Sequence, residues 1–103
     1  MPRDDASRLR DIIAAVDLAV ASVDRISDPI VYAGIIYELA VIGEAANRLT
    51  AETRQRAPEV PWEAIVGFRN LSIHEYFRID DDVVEEIART HLTVVRAACE
   101  RLL

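Results

Sequence analysis

Apolar positions recur every three or four residues along most of the chain. Asp4 or Asp5 is predicted to cap a first helix, and Ser27-Asp28-Pro29 is predicted to end it. Asp28 would then be the N-cap of a second helix and Pro29 its first residue. The first helix places these residues on one face: Leu9, Ile12, Val16, Ala19, Val23 and Ile26.

The second predicted helix, from about Pro29 to Leu49, is apolar on most of its faces. Its seam consists of Ile35, Leu39, Ile42, Ala46 and Leu49, and the remaining surface carries Val31, Ala33, Ile36, Ala40 and Val41. Such a helix lies in the middle of a bundle or in a subunit interface. Gly34 and Gly43 would permit close approach of another helix. We expect a homodimer to bury the excess apolar surface.

Three further elements complete the predicted fold. A short polar helix runs from Thr50 to about Ala57, and a third long helix runs from Pro61 towards Tyr76. The last helix begins near Asp80-Asp81-Asp82, whose charge suits the positive end of a helix. Its stripe is Val84, Ile87, His91, Val94, Val95, Ala98 and Leu102. The pattern predicts an all-α, up-and-down four-helix bundle with one short additional helix, in a single domain over residues 1–103.

Composition excludes several classes of protein. Hydrophobic residues make up 51% of the 103 positions, and only 3 Gly and 4 Pro occur. This excludes a disordered chain and disfavours a turn-rich β fold. One cysteine and two histidines make a disulfide framework or a metal site improbable, so we expect no metal and no cofactor. We see no membrane span or signal peptide in the pattern, and therefore expect a cytoplasmic protein.

The charge balance limits how this chain could contact nucleic acid. It has 18 acidic and 12 basic residues, a net charge of −6, and every basic residue is an arginine. A chain this acidic repels phosphate at long range. Contact with RNA would therefore depend on a few locally placed arginines.

The most informative segment covers residues 61–77. Trp62, Val66, Ile73 and Phe77 would form one stripe of a regular helix. Arg69 and Asn70 interrupt that stripe, and burying either without a partner costs on the order of several kcal/mol. Arg69 is therefore either a structural residue paired with a neighbouring carboxylate or a residue that lines a cavity.

Candidate acid–base chemistry follows directly in the sequence. In a regular helix Tyr76 lies almost in line with Arg69, whereas His74 lies roughly 140° away. Arg69 and His74 could converge only through a break in the helix or across a twofold axis. His91, on the stripe of the last helix, is interpreted as structural. Tyr76 could equally be an interface tyrosine that packs its ring and directs its hydroxyl outward.

Arg69, His74 and Tyr76 have the spacing R-x4-H-x-Y. This motif and its surroundings resemble the HepT-like toxins of the HEPN superfamily, and the resemblance covers essentially the whole chain. Glu75, between the histidine and the tyrosine, departs from the pattern. The supporting residues are Gly43-Glu44-Ala45-Ala46, Arg48-Leu49, Pro61-Trp62, Ile65, Gly67, Arg69-Asn70 and Ile73 to Phe77.

The resemblance implies a homodimeric, metal-independent endoribonuclease with two motifs facing each other in the intersubunit cleft. His74 would transfer the proton of the ribose 2′-hydroxyl or of the leaving oxygen. Arg69 would bind the scissile phosphate, and Asn70 would orient that phosphate or the histidine.

The resemblance also implies a toxin–antitoxin pair. The partner would be a minimal nucleotidyltransferase of the MntA type that adds AMP to Tyr76. Negative charge and bulk beside Arg69 and His74 would then block RNA. The alternative is a non-catalytic helical dimer that serves only as binding partner of the nucleotidyltransferase, and the net charge of −6 favours it.

Overall fold

A computed structural model describes residues 3–71 and 81–103. Within these ranges the chain is helical and contains no strand, so the predicted all-α class is confirmed. The first half consists of α1 (Arg3–Ser22), a 3₁₀ turn (Val23–Arg25), α2 (Pro29–Asn47) and α3 (Ala51–Gln55). The second half consists of α4 (Trp62–Gly67), a 3₁₀ turn (Phe68–Asn70), α5 (Asp81–Glu86), a π-helical turn (Ile87–His91) and α6 (Leu92–Leu102).

The first two helices follow the predicted pattern closely. The backbone N–H of Ile30 donates to Asp28 Oδ1 at 2.8 Å, which confirms Asp28 as the N-cap of α2. The seam of α2 is buried, as is the stripe of α1 up to Val23, while Ile26 is half-buried. These two helices pack on each other and, with α6, form the core.

Asp5 departs from its predicted role. α1 already includes Arg3, so Asp4 and Asp5 lie within its first turn and neither is its N-cap. The Asp5 side chain is buried instead, at 1% exposure. It accepts hydrogen bonds from the Thr50 backbone N–H (3.2 Å), the Thr50 hydroxyl (2.6 Å) and the Thr53 hydroxyl. Asp5 thereby fastens the start of α3 to the start of α1.

The apolar character of α2 has a second consequence. By length and composition alone, Pro29–Asn47 qualifies as a membrane span, although we expected no such segment. The core helix of a globular protein passes the same test, and 44% of the relevant window is buried inside this fold. The match is therefore weak support for a membrane location.

The last helix differs from the prediction in register. Its buried residues are Val84, Ala88, Leu92, Val95, Ala98, Cys99 and Leu102. The Leu92 backbone N–H donates to the Ile87 carbonyl, five residues back, which defines a π turn. This wider turn shifts the buried face, so the predicted positions of His91 and Val94 on that face are wrong, while Ile87 still packs against the core. Ile87 is half-buried, and the other two side chains are exposed.

Candidate active site

α4 is anchored at its first residue. Trp62 is 7% exposed, and its indole N–H donates to the carbonyls of Arg54 (3.1 Å) and Ala57 (3.0 Å). Burying an indole requires a partner for its N–H, and both acceptors belong to the segment that leads into α4. The position of this helix relative to α3 is therefore fixed by one large side chain.

The end of α4 packs directly on the backbone of α2 at Gly43. A Cβ atom added to Gly43 would lie 2.5 Å from the backbone N of Arg69 and 2.8 Å from the carbonyl O of Ile65. No real Cβ contact is that short, so a glycine is required here. The predicted close approach at Gly43 is thus found within one chain. Gly34 has open space around it.

The helix breaks between Arg69 and the predicted histidine. α4 ends at Gly67, the 3₁₀ turn covers Phe68–Asn70, and Leu71 is extended, with φ −68° and ψ 132°. The third long helix, predicted from Pro61 towards Tyr76, is found as α4 over Trp62–Gly67. Its predicted continuation through Leu71 is wrong. The alignment of Tyr76 with Arg69 assumed that regular helix and loses its basis.

Arg69 and Asn70 are exposed in the last turn before this break. No carboxylate within residues 3–71 and 81–103 forms an ion pair with Arg69. By contrast, Arg96 pairs with Asp17 and Glu100, both at 2.6 Å. The described residues thus give no support to a structural, salt-bridged Arg69. The Arg69 side chain is exposed to solvent, and its backbone packs against Gly43.

His74 and Tyr76 lie outside the described residues, so their distances from Arg69 stay predictions. The other two tyrosines are described. Tyr32 is buried, as expected for the apolar second helix. Tyr37, on the same helix, is 66% exposed.

His91 lies at the surface, although the pattern placed it on the apolar stripe of the last helix. Its side chain is 60% exposed, and its Nε2 lies 3.9 Å from Glu86 Oε1. It faces an apolar groove between α4 and the last helix, which Phe68 also lines. Sequence reasoning missed this groove because the π turn that turns His91 outward leaves no mark on the apolar pattern.

The described side chains also bear on metal chemistry. Within residues 3–71 and 81–103, no group of three or more His, Cys, Asp or Glu residues could hold a metal ion. Cys99, the one cysteine of the sequence, is buried in the core, and burial raises the pKa of its thiol to about 12. A thiol in this state is a packing residue rather than a nucleophile.

The elements of the described residues are all helices, which places the protein in the all-α class, and sequence comparison identifies the family. The family described as "Ribonuclease HepT-like" matches residues 4–102. The chain belongs to this HepT-like ribonuclease family. No solved structure matches the chain.

Several curated proteins are similar to this chain. "Putative RNase MJ1380" of Methanocaldococcus jannaschii is 32% identical over 73% of this chain and 69% of its own length. "Putative RNase TTE0752" of Caldanaerobacter subterraneus subsp. tengcongensis is 36% identical over 61% of this chain and 56% of its own length. "Probable ribonuclease HepT" of Thermococcus cleftensis is 26% identical over 99% of this chain and 98% of its own length. The chain thus spans little more than half of one of these relatives and nearly all of another.

Proposed function

We propose that this chain is the toxin of a toxin–antitoxin pair and acts in the cytoplasm as a metal-independent endoribonuclease. The observation that carries the proposal is the family match over residues 4–102. Arg69 supports it, because it is exposed and no described carboxylate neutralises it, so its guanidinium can pair with a phosphate.

The proposed chemistry is internal transesterification of RNA. His74 takes the proton of the ribose 2′-hydroxyl, whose oxygen then forms a bond to the adjacent phosphorus, while the bond from phosphorus to the 5′-oxygen breaks. A proton returned by a histidine neutralises the leaving oxygen. Arg69 donates two parallel hydrogen bonds to the phosphate and stabilises its growing negative charge, while Asn70 orients the phosphate or the histidine. DNA lacks the 2′-hydroxyl and should resist cleavage.

The proposed site is completed by a second copy of the chain. α2 exposes an apolar stripe on which Ile30 is 82% and Tyr37 66% exposed, with Gly34 between them. Residues three and four apart share one helix face, so this stripe is continuous. Pairing it with a second subunit would remove apolar surface from water. The shared cleft with two motifs is what the family resemblance implies for such a dimer.

The proposed antitoxin is a minimal nucleotidyltransferase of the MntA type that transfers AMP from ATP to Tyr76. The tyrosine oxygen bonds to the α-phosphorus, and pyrophosphate leaves. The added phosphodiester carries negative charge, which would compete with RNA phosphate for Arg69.

A second candidate function is a helical dimer without catalytic activity that only binds the nucleotidyltransferase. The net charge of −6 favours this alternative, since an acidic protein repels RNA at long range. In that case neither Arg69 nor His74 would affect any chemical step.

RNA cleavage by the purified chain separates the two functions. His74→Ala should slow cleavage by roughly a hundred- to ten-thousand-fold through loss of the acid–base group, and Arg69→Ala should weaken both RNA binding and turnover. Arg10→Ala is the matched control, because Arg10 is exposed on α1 and no described carboxylate pairs with it. A chelator should leave the rate unchanged. Full activity of a folded His74→Ala protein would contradict the mechanism, and absence of activity in the wild type would favour the alternative.

A further inference from the structure

An apolar groove separates α4 from the last helix. Its volume is about 500 Å³, which lies within the range of small-molecule sites. Its walls include Pro61, Ala64, Phe68, Ile87, His91 and Val94. We call this surface the α4–α6 groove.

The π turn forms one wall of this groove. Its hydrogen bond from Leu92 to Ile87 widens the helix, and both Ile87 and His91 then face the groove although the sequence pattern assigns them to the core. π turns are rare and are found disproportionately at functional sites. The turn places a polar ring on an otherwise apolar wall.

One residue that lines the groove is followed directly by an arginine with no carboxylate partner among the described residues. Phe68 lines it, and the next residue in the same 3₁₀ turn is the exposed Arg69. Another arginine near this groove, Arg101, is neutralised by Glu59, which lies on the groove wall, at 2.6 Å. An apolar slot with an aromatic ring therefore ends one residue before an exposed arginine that has no ion pair with any described carboxylate.

We infer that the α4–α6 groove is a nucleobase subsite. A base of single-stranded RNA enters the groove and contacts the rings of Phe68 and His91, while Arg69 binds the phosphate next to it. The inference rests on the proposed ribonuclease function and names the part of RNA that the chain recognises.

The chemistry of single-stranded RNA fits this arrangement. Its unstacked bases bind to aromatic side chains, and such contacts tolerate any base because every base has a π-face. Burial of a base acts at short range and is insensitive to net charge. A chain with a charge of −6 lacks the long-range attraction on which basic ribonucleases depend, so a short-range contact of this kind would supply affinity.

Titration of the full chain with adenosine 5′-monophosphate, followed by amide chemical shifts, tests the inference. Ribose 5-phosphate, which keeps the phosphate and lacks the base, is the matched ligand. We expect the nucleotide to shift the amides of residues that line the groove and ribose 5-phosphate to leave them unchanged. Equal shifts with both ligands would reduce the site to a phosphate site and overturn the inference, as would the absence of groove shifts at millimolar nucleotide.

Ala64→Trp fills the groove from an exposed position without removing a core side chain. It should weaken nucleotide binding roughly ten-fold or more, in line with the loss of one base contact. Ala97→Trp is the control, because Ala97 is equally exposed on α6 and does not line the groove. If Ala64→Trp instead turned a dimer into a monomer, the groove would be a subunit interface and the inference would fail.

The same variants separate this inference from the proposed function. If nucleotide binds in the groove but the wild-type chain cuts no RNA, the ribonuclease function is refuted and the base site stands. If the wild type cuts RNA, Ala64→Trp has the same KM and kcat, and no nucleotide binds in the groove, the base site is refuted and the ribonuclease function stands. If both are right, Ala64→Trp should raise the KM for RNA about ten-fold with a smaller effect on kcat.

Discussion

Gly43 and Arg69 meet backbone to backbone, and a Cβ atom at position 43 would lie 2.5 Å from the Arg69 amide nitrogen. The absent side chain of one residue thus sets the position of the other. Because Arg69 is the proposed phosphate ligand, the close packing of α2 at Gly43 also determines where the backbone of the candidate site lies.

Gly43→Ala should therefore displace the 3₁₀ turn that carries Arg69. Overpacking of this kind costs about 1–3 kcal/mol, and the obstructing atoms are backbone, which cannot rotate away. We expect a lower free energy of unfolding in urea and slower RNA cleavage. Gly34→Ala is the control: nothing lies within 4 Å of its added Cβ, and alanine favours helix by about 1 kcal/mol over glycine. Equal stability of the two variants would show that α4 does not pack on α2 as described.

A charge on the apolar stripe of α2 should dissociate the proposed homodimer. Tyr37→Glu places a carboxylate on that stripe, where burial against a second subunit would leave it without a partner. Light scattering at micromolar concentration should give a dimer mass for the wild type and a monomer mass for Tyr37→Glu. Val83→Glu, at an apolar position on α5 that is 50% exposed, should remain dimeric. A monomeric wild type would remove the composite cleft from the proposal.

Modification by the proposed antitoxin should fall on Tyr76. The partner nucleotidyltransferase, supplied with ATP and Mg²⁺, should add AMP to the wild type and to Tyr37→Phe. Tyr76→Phe should keep its toxicity, since the hydroxyl has no assigned catalytic role, and should escape neutralisation by modification. Tyr37 is the control because its side chain is the more exposed of the two described tyrosines in the single chain, at 66%. If Tyr76→Phe were fully neutralised, and equally well by a catalytically inactive partner, the antitoxin would act by covering the toxin and not by modifying it.

Asp5 should make the fold sensitive to acid. Burial acts to raise the pKa of Asp5, but hydrogen bonds from Thr50 and Thr53 outweigh it and hold that pKa below the ordinary value of 3.8. A carboxylate with a depressed pKa stabilises the fold above its unfolded pKa, and the stabilisation disappears as the pH falls through the folded pKa.

Asp5→Asn should accordingly lower the free energy of unfolding at neutral pH by about 1–3 kcal/mol. The difference between wild type and variant should shrink below about pH 4, where the wild-type carboxyl also becomes neutral. Urea unfolding at several pH values measures both quantities. Asp11→Asn is the control, because Asp11 is exposed and its contact with Arg8 is 3.8 Å long. A difference that did not vary with pH would contradict the assigned role of the carboxylate.

The buried thiol should be inert in the native protein. Cys99 has no exposed surface, and burial raises its pKa to about 12. A thiol reagent such as Ellman's reagent should therefore react slowly in native buffer and quickly in concentrated urea. Rapid reaction under native conditions would mean that α6 detaches readily from the core.

The local signals in the sequence were sufficient for the helical class, the buried faces of α1 and α2, and the cap at Asp28. These features depend on the helical period and on hydrogen bonds between residues close in sequence, so they can be predicted from the sequence alone. The resemblance to the HepT-like family could also be found from the spacing and type of the residues around Arg69, and the family match confirms that resemblance.

Other features required contacts between distant parts of the chain. Asp5 bonds to Thr50 and Thr53 rather than to its own helix, and the backbone at Arg69 rests on Gly43. The apolar pattern could not reveal the π turn. Ile87 and Val94 fit the apolar stripe of a regular helix as well as the adjacent apolar residues do, so the pattern does not show which set is buried. Tertiary packing decided which face of the last helix was buried. The end of α4 before Leu71 and the exposure of Arg69 likewise became visible only in the structure.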